Sequence, residues 1–155
     1  MSNVINVRVV SPITTKGFRK DSDFDTIRNS DLNISHSQIE IGPASIETEF
    51  DEAMCQPDTI LKIIDAENEG CDAAVIDCMG DPGLKGAREC VSIPVVGPCE
   101  TAMHYASMLG HKFTVLTVLE RTKPLIENLS IVSKSNFVPA STSLIFFANE
   151  EPDKI

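Results

Sequence analysis

Residues 72–84 read DAAVIDCMGDPGL, an apolar run that passes through a cysteine straight into an Asp-Pro-Gly turn. The segment AAVIDC (73–78) is short and continuously apolar, as a strand covered on both faces should be, and PGLKGAREC (82–90) follows as a helix. Working outward, VINVRVV (4–10), SQIEIG (37–42), IPVVG (93–97) and KFTVLTV (112–118) are predicted strands. A frayed amphipathic helix is expected between Lys16 and Ser35. From Ser45, acidic residues come early, Pro57 suits a first helical turn and Gly70 a stop, giving one bent helix or two in succession. ETAMHYASMLG (100–110) and RTKPLIENL (121–129) complete the helices. Strand and helix alternate, which predicts an α/β protein with a parallel sheet and helices on both faces. In such sheets ligands gather at the carboxyl ends of the strands, here SPITT (11–15), DCMGDPG (77–83), GPCET (97–101) and TVLERT (117–122).

The totals narrow the function classes. A chain of 155 residues suits one domain with a real core, and the formal charge of −10 without a Lys/Arg cluster argues against nucleic acid. No apolar run reaches the roughly 20 residues that span a bilayer, and the start MSNVINVRVVSP lacks a signal-peptide pattern, so no membrane association and a cytoplasmic location are expected. Five cysteines without CxxC or Cys/His spacing suggest free thiols rather than disulfides or a metal site.

Cys78 carries the chemistry of this reading. A thiol at a strand end, followed by Gly80 and a helix start, is expected to have its pKa lowered toward neutrality and to act as a base; a small buried hydrophobe is the plainer role for the residue type. Cys55, Cys71 and Cys90 read as packing residues. Glu100 and His104 have helix-pair spacing, with a structural role for His104. Asp77 is expected to point away from the face of Cys78 and to serve in capping or pairing, and His36 and His111 to be solvated loop residues. There is no GxGxxG fingerprint and no phosphate-loop sequence.

The segments GPASIETEFDEA (42–53), DAAVIDCMGDPGLKGARE (72–89) and SIPVVGPCETAMHYASMLGHKFTVLTVLERTKPLIENL (92–129), with VVSPITT near the start, resemble the Asp/Glu and hydantoin racemase family, hydantoin branch, over about residues 4–129. The resemblance implies the family's first lobe and a cofactor-independent racemase that uses two cysteines, one on each side of the substrate's α-carbon. It would act on a small-molecule amino acid derivative such as a hydantoin, with neither metal nor cofactor. Cys78 matches the first cysteine, and Pro12, Thr14 and Thr15 match substrate-contact positions. Backbone N–H groups over Met79, Gly80 and Asp81 and at Glu100 and Thr101 would support the enolate oxygen. Pro12, Thr14 and Thr15 are read equally well as an ordinary turn with hydroxyl caps.

The second cysteine has no match, since none follows Cys99. Cys99 is the alternative, although two thiols from adjacent loops would face a substrate from one side. Residues 130–155 fit neither the family pattern nor the alternating plan, so a divergent, non-native tail and an incomplete second lobe are expected, as in a truncated or frame-shifted copy. A half lacking its partner lobe should expose apolar surface, which predicts a homo-oligomer. The rival reading is a non-catalytic remnant or small-molecule-binding domain.

Overall fold

The computed structural model describes residues 4–110, 113–115, 117, 119–132 and 148–149. The chain divides into two compact units, one running to Ile46 and resuming over Phe50–Pro98, the other combining Glu47–Glu49 with the chain from Cys99 onward.

In the first unit, β1 (Ile5–Ser11), β2 (Leu32–Gln38), β3 (Ala73–Ile76) and β4 (Val95–Val96) form a parallel sheet in the order β2-β1-β3-β4. The expected α/β architecture with a parallel sheet is present. Val10 pairs with Ile76, and Ala74 with Val95. This register aligns four side chains, Val10, Ala74, Ile76 and Val95, which helices α1 (Glu49–Asn68) and α2 (Leu84–Cys90) bury with Ile63, Leu84 and Ala87.

α1 is one continuous helix, and Pro57 lies in its interior instead of its first turn. The helix stops where the sequence predicts. Gly70 has a positive φ of 84°, and the Cys71 N–H reaches back to the Ala66 carbonyl at 2.9 Å, the bonding of a Schellman stop. α1 and α2 approach closely at Gly83, the residue before α2. It has φ of 76°, and a β-carbon there would stand 3.2 Å from Ile60 Cγ1 and 3.3 Å from the Gln56 carbonyl oxygen. Only glycine suits both constraints.

Two elements differ from expectation. Instead of a helix over Lys16–Ser35, the chain makes a short 3-10 turn at Asp21–Phe24 and enters β2 by Leu32. Arg28 pins this segment to β2: its guanidinium bonds Asp21, Asp25 and the Ile34 carbonyl. β2 thus begins earlier than the predicted SQIEIG, and Ile34 is its buried residue.

The second unit contains α3 (Pro98–Leu109) from Cys99 onward, β5 (Phe113–Thr114), a 3-10 turn (Glu120–Thr122), α4 (Lys123–Val132) and β6 (Ala148–Asn149). β5 and β6 pair antiparallel. Of the described residues of the predicted strand KFTVLTV (112–118), Phe113 and Thr114 are strand, while Lys112, Leu116 and Val118, like His111 and the apolar segment SLIFF (143–147), lie outside the described residues. No helix among the described residues is long and apolar enough to cross a membrane.

Candidate functional site

The loops after β1 and β3 meet at a cavity of about 470 Å3 walled by Pro12, Ile13, Phe18, Arg19, Ser45, Ile46, Asp77, Cys78, Met79 and Pro98. All of these belong to the first unit, and the volume suits a small molecule. Cys78 reaches the cavity because the strand ends at Ile76, and its base packs against the Val10–Ile76 core. The thiol is therefore anchored against the buried core of the sheet.

Past Ile76 the chain leaves the pleat, so Asp77 and Cys78 both line the cavity; the expectation that Asp77 points away from it is corrected. Its expected role in pairing is present. Asp77 Oδ2 and Oδ1 accept from Arg19 Nε and Nη2, both at 2.7 Å, and Ser11 Oγ donates to Oδ2 at 3.0 Å. His36 Nε2 lies 2.9 Å from the same hydroxyl. His36 is accordingly a β2 residue in this network, with the Phe24 ring 6.2 Å away, and not a solvated loop histidine. Burial opposes ionisation of Asp77, yet the bonds from Arg19 and Ser11 and their charge environment hold its carboxyl below the usual range. Burial lowers His36 against the opposing pull of Asp77.

The backbone turn after the thiol is tightly defined. The Gly80 N–H points at Cys78 Sγ, 3.4 Å away, and the Asp81 N–H bonds the Cys78 carbonyl at 3.0 Å. Asp81 takes a positive φ of 49° and is 5% exposed, beside Gly97. The expected lowering of the thiol pKa does not occur. Burial pushes Cys78 up to about 11, and nearby Asp81, Glu52 and Asp77 add to this against the Gly80 N–H. Alkylation of Cys78 is expected to accelerate about tenfold per pH unit up to a midpoint near 11. A plateau at pH 8, measured by peptide mass spectrometry, would contradict this environment.

The other expected residues divide clearly. Pro12 and Met79 line the cavity. Thr14 and Thr15 do not; their hydroxyls donate to the carbonyls of Pro43 and Ala44 at 3.1 and 2.6 Å, so they tie the first loop to residues 43–44 as turn and cap residues do. Glu100 and Thr101 lie on α3 in the second unit, as does Cys99, which is buried. Cys55 and Cys71 are buried as packing residues should be, but Cys90, at the end of α2, is exposed. Ile13, Phe18, Arg19, Ser45, Ile46 and Pro98 are cavity walls that were not expected as site residues. Of these, Ile13 and Pro98 carried a signal, through their places in strand-end loops.

This is a parallel α/β fold with a thiol in the wall of a cavity at the carboxyl end of an inner strand. The chain belongs to the Asp/Glu/hydantoin racemase family, whose profile matches residues 25–133. It is 42% identical over 127 residues to a hydantoin racemase of Pseudomonas sp. (strain NS671), covering 81% of this chain and 51% of that protein. It is 41% identical over 103 residues to one from Rhizobium meliloti, covering 66% of this chain and 43% of that protein. The chain thus spans about half the length of the curated relatives it matches. Among solved structures, the allantoin racemase from Klebsiella pneumoniae superimposes with a TM-score of 0.80 at 29% identity, over 87% of this chain and 57% of that one. The allantoin racemase from Pseudomonas fluorescens shares the fold, with a TM-score of 0.76 at 23% identity over 90% of this chain and 62% of that one.

Proposed function

We propose that the chain forms the Cys78 side of a cofactor-independent racemase for hydantoin-like amino acid derivatives. The observation that carries this reading is the thiol itself, held at the end of β3 in a ligand-sized cavity with the Gly80 N–H on its sulfur. The Cys78 thiolate takes the proton from a carbon next to a carbonyl, the bonding electrons move onto the carbonyl oxygen as an enolate, and an acid on the opposite side returns a proton to carbon. With a pKa near 11, the thiol is mostly protonated at neutral pH, so it is also well suited to the donating role. Each turnover returns the site to its starting protonation after the two acids re-equilibrate.

The opposing acid has no candidate within the described cavity wall besides Asp77, which Arg19 and Ser11 hold. Self-association is therefore part of the proposal. Phe50, Met54 and Leu61 are exposed at i, i+4 and i+11 on one face of α1, an apolar stripe of the kind that marks an interface. Light scattering is expected to give a mass above the 16.9 kDa of one chain; a monodisperse monomer at high concentration removes this element.

Optical rotation of single-enantiomer 5-substituted hydantoins tests the activity. The wild-type protein should abolish rotation with time, and Cys78→Ser should slow this by about a thousandfold or more, since serine's hydroxyl is a far weaker acid. Unchanged racemisation in Cys78→Ser overturns the assignment. A binding domain without turnover is the second reading, favoured by the upward shift of the thiol; ligand binding with no loss of rotation would establish it.

A further inference from the structure

We infer that Arg19 is the anion-binding residue of the Cys78 cavity and selects small carbonyl compounds that carry a carboxylate. The inference rests on the racemase reading for its reaction and extends it to the substrate's charge.

Arg19 and Asp77 are the charged residues of the described cavity wall; the other eight are uncharged and mostly apolar. Their pairing fixes the orientation of the cation. Two N–H groups of the guanidinium, on Nε and Nη2, meet the two Asp77 oxygens in a fork, which holds the plane as a single bond would not. Asp77 is fixed from behind by Ser11, which is fully buried and also contacts His36. The Phe18 ring stands 5.2 Å from the guanidinium carbon, steadying the same group.

A guanidinium has five N–H donors, and the fork leaves the Nη1 edge without a hydrogen bond among the described residues. The Arg19 side chain is 37% exposed, against 17% for Asp77, so the cation of the pair is the more open partner. A carboxylate bound there receives charge-assisted bonds inside the same cavity as the thiol. Asp77 and Ser11 are positioning residues in this arrangement and need not touch the ligand.

Competitive alkylation tests the inference without relying on turnover. The Cys78 thiolate displaces iodide from iodoacetate, which carries a carboxylate, or from neutral iodoacetamide, and exposed Cys90 provides a reference in the same chain. The iodoacetate-to-iodoacetamide ratio cancels the thiolate fraction. At Cys78 it should exceed that at Cys90 by about fivefold, the scale of one charge-assisted bond partly screened by solvent. Arg19→Gln should bring the two ratios together, and Arg19→Lys should retain part of the difference. An equal ratio at Cys78 in the wild type and Arg19→Gln overturns the inference.

A second readout needs no variant: succinate should protect wild-type Cys78, but not Cys90, from iodoacetamide, and absence of protection also overturns the inference. The two proposals fail separately. A collapsed ratio with no racemisation of any substrate removes the racemase reading alone, whereas racemisation with an unchanged ratio removes the role of Arg19 alone.

Discussion

Ile63→Ala is expected to destabilise the protein by about 3–4 kcal/mol, read as a shift in the urea midpoint with an unchanged slope. Ile63 is fully buried and lies in the cluster that joins α1 to Val10, Ala74 and Ile76 of the sheet. Truncation removes three carbons from a place where β1, β3, β4 and both helices constrain collapse, so a cavity remains. The loss is a large part of the roughly 5–15 kcal/mol that stabilises an ordinary domain. Because Cys78 packs against the same cluster, the variant should also loosen the thiol's position, making iodoacetamide faster at Cys78 than in the wild type. A cost below about 1 kcal/mol would contradict the packing described here.

Gly97→Ala is expected to cost about 2–3 kcal/mol through crowding rather than loss of contact. An added β-carbon would stand 2.5 Å from Asp81 Cγ, 2.6 Å from Asp81 Oδ2 and 2.6 Å from Leu84 Cδ2. Neither neighbour moves freely, since Asp81 and Leu84 are each 5% exposed and Asp81 already has a positive φ. Displacement of Asp81 would disturb the turn that aims the Gly80 N–H at Cys78. Thermal melting should therefore show a lower midpoint, together with an altered alkylation rate at Cys78. A wild-type melting curve would mean that the turn yields without cost.

The sheet was legible because its signals are local. AAVI is apolar without interruption and becomes the strand between two others, and Gly70 and Gly83 mark backbone that only glycine adopts readily. Cys78 was legible in the same way, from a strand, a turn and a helix in succession. The residues around it were not. Arg19 and Asp77 are 58 positions apart, and Ser11 and Asp77 are 66 apart, so no window of sequence contains the network.

The two threonines show how residue type alone leaves two roles open. Thr14 and Thr15 have the chemistry of ligand contacts, but the neighbouring carbonyls of Pro43 and Ala44 engage their hydroxyls. The direction of the Cys78 shift also depended on distant chain. Burial outweighs the one N–H that the local turn supplies, and Asp81, Glu52 on α1 and Asp77 add to it.

Deuterium exchange at the α-carbon reports on the proposed proton abstraction itself. Each enantiomer of a 5-substituted hydantoin is incubated separately with the protein in D2O, and its α-proton signal is followed by NMR beside Cys78→Ser and a buffer control for spontaneous exchange. Enzyme-dependent loss of the signal is expected with the wild-type protein, and loss only at the buffer rate with Cys78→Ser. Exchange that is as fast in Cys78→Ser, or no exchange above buffer with the wild type, would contradict the proposed role of Cys78.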